Sequence, residues 1–190
     1  MFETEQIDDD LYRIALDKPD DYPPPANRPN NVYLLGGSAP ALVNAGHPTQ
    51  YDALCKALRT LDVSPGEIER VIATSWNIDN LGAAANLPTA DVFTASSDMV
   101  EPRDYEGKLQ SRREGFRELA RSLVEEYDYH EEQLDDVDAF LQSYFPRASR
   151  RFDIIPIRSG HTVAAGSFEF EVIATPGAQP GHLALWDHDR

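Results

Sequence analysis

The chain has 190 residues, of which 41% are apolar, with a formal net charge of −16 and a single cysteine, Cys55. That length suits one domain with a substantial core; the charge excludes nucleic acid and anionic membrane surfaces as partners, since both need a cationic face; and one cysteine excludes an internal disulfide. No run of 18 apolar residues occurs and the Met-Phe-Glu-Thr-Glu-Gln start lacks a basic, apolar leader, so neither a membrane helix nor a signal peptide is expected and the expected location is cytoplasmic.

In chain order, residues 5 to 16 predict a hairpin arm, with Ile7, an acidic turn and then Leu11 to Leu16. Residues 17 to 30 hold five prolines and must be loop. Asn31 to Leu35 reads as a strand, Gly36-Gly37-Ser38 as a tight turn and Ala41 to Asn44 as the returning strand. His47 reads as a loop or helix-entry residue rather than a ligand. Residues 48 to 61 predict an amphipathic helix, because Tyr51, Leu54, Cys55, Leu58 and Leu61 recur at helical spacing; Cys55 is then a buried helix residue. A turn at 63 to 66 leads into Val71-Ile72, a short strand that runs into polar residues. Ala83 to Leu87 predicts a short helix stopped by Pro88, and Asp91 to Ala95 another strand. From 104 to 150 the chain is highly charged, and apolar stripes predict two antiparallel helices, roughly 108–128 and 131–145. Phe152 to Ile157 and the alternating run Phe168 to Ala174 are strands, separated by a glycine turn near Ala165-Gly166.

Two stretches carry chemistry. The first is Thr74-Ser75-Trp76-Asn77-Ile78-Asp79-Asn80-Leu81-Gly82, a polar loop between a strand and a helix, where α/β proteins place their sites. The second is Thr175-Pro176-Gly177-Ala178-Gln179-Pro180-Gly181-His182, followed by an apolar strand. The chain resembles the metallo-β-lactamase superfamily at both. The first stretch is similar to Thr-His-x-His-x-Asp-His-x-Gly-Gly: Thr74, Asp79 and Gly82 match, while the three histidine positions fall on Ser75, Asn77 and Asn80. The second is similar to Thr-Pro-Gly-His-Thr-Pro-Gly-His, with six of eight positions identical; the resemblance implies that the first histidine binds metal and the second usually stands behind the ligands, and Ala178 stands at the first and His182 at the second. Asn31, Tyr33 and Leu34 match an earlier strand motif, and Asn44-Ala45-Gly46 stands where Asp-Thr-Gly is usual.

The resemblance implies an α/β fold, a single αββα sandwich over residues 1–190 with an inserted helical hairpin at about 104–150. That hairpin either overhangs the site as a lid or partner-docking element, or packs on the sheet. The family's bridging aspartate and last histidine lie in strands beyond the Thr-Pro-Gly run; Asp187 comes too soon to be that aspartate. The chain is therefore expected to be a fragment or a short form lacking its C-terminal strands, with an open sheet edge for a second copy or a protein partner to cover.

A binuclear site needs imidazoles and carboxylates. Asparagine offers a poor carbonyl ligand, serine is poor unless deprotonated and alanine offers nothing. Asp79 is the one mapped position able to coordinate strongly. One carboxylate with weak oxygens does not approach the roughly 10–16 kcal/mol of structural zinc sites. The expectation is a non-catalytic relative without a resident cofactor, whose Asn44, Ser75, Trp76, Asn77, Asp79, Asn80, Ala178 and His182 form a degenerate, polar, metal-free pocket for a small molecule of unspecified class. The alternative is a hydrolase of an ester, thioester or lactam, with Asp79 or His182 as general base or with a weakly held divalent cation such as Mg²⁺ or Ca²⁺. A third possibility is a subunit of a larger complex. A Ser75–His182–Asp79 triad lacks a Gly-x-Ser-x-Gly elbow.

Overall fold

The computed structural model describes residues 1–18, 28–95, 105–127, 139, 154–177 and 179–189. The second arm of the expected helical hairpin apart from residue 139, Ala178, residues 19–27 of the proline-rich loop and the Phe152-Asp153 start of the expected strand lie outside the described residues.

Ten strands occur among the described residues, in two sheets. The larger contains β1 (Phe2–Asp8), β2 (Leu11–Leu16), β3 (Asn30–Leu35), β4 (Ala41–Val43), β5 (Arg70–Ile72), β6 (Asp91–Ala95) and β7 (Ile154–Ile157), lying side by side in sequence order. The first four are antiparallel; β4 through β7 are parallel. The smaller sheet contains β8 (Thr162–Ala165), β9 (Phe168–Ala174) and β10 (Leu183–Trp186), antiparallel in the order β10-β9-β8. The helices are α1 (Tyr51–Thr60), α2 (Ile78–Leu81) and α3 (Tyr105–Tyr127).

Side-chain alternation along the strands divides the core in two. Val32 and Leu34 of β3, Leu42 of β4 and Val71 of β5 face Leu54 and Leu58 of α1 and Ile78 and Leu81 of α2. Leu35, Ala41 and Ile72 point the other way, onto Phe168, Phe170 and Val172 of β9 and Leu183 of β10. The layers are thus helix, sheet, sheet. Each fully buried leucine or isoleucine contributes roughly 1.5–3 kcal/mol. The Arg70 guanidinium joins the sheets: it stacks 5.2 Å above the Phe93 ring and donates to the Ala164 carbonyl.

Three expected elements differ in detail. The helix expected from 48 begins as a 3-10 turn, Pro48–Gln50, capped by His47, before α1. The expected Ala83–Leu87 helix is a 3-10 turn, Gly82–Asn86, and is preceded by α2 inside the motif loop; Asn77 accepts from the Asp79 N–H there and so caps it. The first arm of the hairpin insertion is α3, with Phe116 and Leu119 of its apolar stripe exposed. Among the described residues no helix is long and apolar enough to cross a membrane.

Desolvation, followed by a hydrogen bond with the Cys55 thiol, pushes the half-buried Tyr51 phenol up to about 12. An unfolded tyrosine ionises near about 10. The folded form therefore keeps a proton that the unfolded chain loses, and stability falls as pH rises from about 10 to about 12. Urea midpoints taken across that window should decline, and Tyr51→Phe should flatten the decline.

Candidate functional site

The site forms where the parallel strands β4 and β5 end. The chain leaves β4 through Asn44, whose φ of +62° suits asparagine and whose N–H donates to the Ile72 carbonyl at 2.9 Å. The Asn44 side-chain oxygen accepts from both the N–H (2.9 Å) and the hydroxyl (3.1 Å) of Thr74. Asn80 Nδ2 donates to Ser75 Oγ at 2.8 Å and to Thr74 Oγ1 at 3.2 Å, and Ser75 Oγ also accepts from the Asn77 N–H at 3.2 Å. The Asn80 carbonyl closes the ring by accepting from the Ala45 N–H at 2.6 Å. The loops after β4 and β5 are thus cross-linked by their own asparagines, serine and threonine.

Asp79 faces outward from this ring. Its Oδ2 lies 2.8 Å from Lys18 Nζ, with the lysine side chain 3% and the aspartate 16% exposed. Its Oδ1 accepts from Asn30 Nδ2 at 3.3 Å. Asn30 also donates to Gln50 Oε1 at 2.8 Å. Gln50 is buried and accepts from the His47 N–H at 2.8 Å, while its amide donates to the Leu16 and Asp17 carbonyls at 2.8 and 3.0 Å.

The second motif stretch meets the first. Leu183 N–H donates to the Thr74 carbonyl at 2.8 Å, which places the Thr-Pro-Gly turn beside the Thr74 loop. His182 Nδ1 lies 2.7 Å from Thr175 Oγ1, and the Thr175 N–H donates back to the His182 carbonyl at 2.9 Å. The structure therefore gathers Asn44, Ser75, Asn77 and Asn80 into one network, puts Asp79 on its flank with Lys18, and brings the His182 turn alongside. Trp76 departs from the expectation of a pocket wall: it is 4% exposed and belongs to the apolar core with Ile78 and Leu81, where its large apolar surface is removed from water. The triad partners hold separate contacts, Ser75 with Asn80, His182 with Thr175 and Asp79 with Lys18. Among the described residues no three His, Cys, Asp or Glu side chains converge on one point.

Lys18, Asn30 and Gln50 escaped sequence reasoning. Gln50 left a signal: it precedes Leu54 and Leu58 at four-residue spacing, so a polar side chain sits on the apolar face of α1, and such a group must be satisfied. Lys18, at the head of a proline-rich loop, left none.

A family model described as the metallo-beta-lactamase superfamily matches residues 26–190. Among solved structures, the chain is similar to a metallo-beta-lactamase family protein from Thermus thermophilus, at 22% identity and a TM-score of 0.71, over 97% of this chain and 57% of that one. It is similar to a Cronobacter sakazakii metallo-beta-lactamase with a HARLDQ motif at 15% identity and a TM-score of 0.60, over 96% of this chain and 58% of that one. Rubredoxin oxygen:oxidoreductase from Desulfovibrio gigas is similar at 13% identity and a TM-score of 0.60, over 98% of this chain and 39% of that one. At these identities the likeness is one of fold, and the chain spans less than two thirds of the length of each of these structures. No curated protein matches.

Proposed function

The chain belongs to the metallo-β-lactamase superfamily, and from that premise we propose that it is a non-catalytic member whose metal site has been lost and whose fold serves as a binding or assembly module. The observation that carries this reading is the set of contacts around Ser75, Asn77 and Asn80, the positions where the family pattern has histidines. Ser75 Oγ is taken by Asn80 and the Asn77 N–H, Asn77 Oδ1 caps α2, and Asn80 Nδ2 points its hydrogens into Thr74 and Ser75. An amide N–H aimed into the site is a donor, and a metal needs lone pairs there. Asparagine and serine oxygens already accepting hydrogen bonds do not fit a zinc or iron centre.

The hydrolase alternative needs Asp79 or His182 as a general base. Asp79 accepts from Lys18 and Asn30, and His182 is engaged with Thr175 inside its own turn; these contacts support the non-catalytic reading. The assembly side of the proposal draws on β10, an edge of the smaller sheet among the described residues. Its sequence Leu183-Ala184-Leu185-Trp186 has none of the charges or prolines that usually protect an edge, and Trp186 is 54% exposed. A second copy or a protein partner is the proposed occupant.

Metal content by mass spectrometry tests the reading, on protein purified without chelator and incubated with zinc, iron and manganese. The expected stoichiometry is near zero, with no turnover across ester, thioester, lactam and phosphodiester panels. About one or two tightly held ions per chain, the load of a mononuclear or binuclear site, would overturn it.

A further inference from the structure

A lysine side chain 3% exposed is unusual, because an ammonium removed from water is costly unless it is paired. Lys18 lies just past the end of β2, and its ammonium is 2.8 Å from Asp79 Oδ2. The other carboxylate oxygen is held by the Asn30 amide. Among the metal-ligating positions mapped from the family frame, Asp79 is also the one that keeps a strong ligand, so the carboxylate best suited to a cation already faces one supplied by the chain. We propose that Lys18 is a tethered cation that takes the place of a metal ion at Asp79. This deepens the metal-free reading of the site and rests on it.

The chemistry is consistent on both sides. Asp79 sits in the first turn of α2, half-buried beside the asparagine ring, and needs a positive partner. A lysine ammonium is a compact point charge with three donors, so it neutralises the carboxylate without requiring the fixed ligand geometry of a metal. A divalent ion arriving at Asp79 would meet that ammonium at close range and be repelled. The same pair ties the end of β2 to α2, elements 61 residues apart in sequence.

Thermal unfolding of the full chain, with and without millimolar Mn²⁺, tests this in four proteins: wild type, Lys18→Met, Asp79→Asn and the double variant. Removing one member of a buried pair leaves the other uncompensated, so Lys18→Met should lower the midpoint by roughly 6–20 °C. The double variant should regain most of that loss. Mn²⁺ should raise the midpoint of Lys18→Met alone, because only there is the Asp79 carboxylate vacated. A Lys18→Met protein as stable as wild type overturns the proposal, as does a wild type stabilised by Mn²⁺ as much as the variant. A destabilised variant that Mn²⁺ does not restore overturns it too, leaving an ordinary ion pair. Should Lys18→Met fail to fold, a folded double variant supports the pairing and an unfolded one overturns it. The two levels separate cleanly: metal retained by the purified wild type defeats the non-catalytic reading, whereas an inert Lys18→Met in metal-free protein defeats only the tethered cation.

Discussion

Gly166→Ala is expected to lower folding stability by roughly 3–5 kcal/mol, from backbone strain and overpacking acting together. Gly166 sits in the turn between β8 and β9 with φ +61°, a conformation that costs any residue with a Cβ. The added methyl would also run into the carbonyl oxygen of Gly36 and lie 2.6 Å from that of Leu35. Both are backbone atoms at the β3–β4 turn, held there by the Ser167 N–H, which donates to the Gly36 carbonyl at 2.7 Å, and by the Gly36 N–H, which donates to the Asp10 carbonyl, also at 2.7 Å. Neither can swing aside as a side chain would. The two turns form the seam between the sheets at the end opposite the site, so relief requires the sheets to separate. Urea denaturation measures the loss, and Gly115→Ala supplies the contrast. Gly115 lies within α3 with nothing within 4 Å of an added Cβ. That substitution should be neutral or stabilise by about 0.5–1 kcal/mol through helix propensity.

Gln50→Leu is expected to cost a similar amount, roughly 3–5 kcal/mol, chiefly through lost hydrogen bonds, since the two side chains are close in bulk. Gln50 is 2% exposed and satisfies four polar groups: it accepts from the His47 N–H and Asn30 Nδ2 and donates to the Leu16 and Asp17 carbonyls. A leucine leaves those groups facing apolar atoms, and each buried unsatisfied group costs about 1–3 kcal/mol. Some will recruit water, which is why the total falls short of the sum. The variant also reports on the site. Asn30 is shared between Gln50 and Asp79, so releasing one end should loosen the other. Hydrogen exchange should show faster amide exchange at the end of β2 and at the start of β3 and α2, while the β8–β9 hairpin stays protected. Uniform deprotection would mean that Gln50 is a packing residue and not a link.

Much of the fold was legible because its signals are local. Leu54 and Leu58 fall at helical spacing and are buried in α1; Phe168, Phe170 and Val172 alternate and face the smaller sheet's core. The motif frame placed the loops correctly, and the Leu183–Thr74 hydrogen bond joins them at one end of the sheets. Partnerships made across the fold were not legible. Asp79 read as a candidate ligand or base because its charge is visible in the chain, whereas the approach of Lys18 depends on where β2 ends relative to α2. Trp76 read as a pocket wall from its place in a polar run; whether an indole points up into a cleft or down into a core depends on the turn of the backbone at 75–77, which spacing does not encode. The asparagines were visible in the motif frame, yet their hydrogen bonds with Thr74 and Ser75 require the geometry of two separate loops.

The seven strands of the larger sheet lie in the order in which they are synthesised. Each strand from β2 to β6 docks against the one just made, after a tight turn, the proline-rich loop, or a connection bridged by α1 or α2, none longer than about 30 residues, so the entropy lost in closing each loop is modest. The step from β6 to β7 is the exception, since the whole stretch containing α3 intervenes. β7 and the smaller sheet emerge after the asparagine ring has all its members. Order of emergence and order of assembly can therefore coincide for the first six strands. The rate-limiting search in folding then falls on bringing β7 back to the edge of β6, late in the chain and far from Asp79 in sequence.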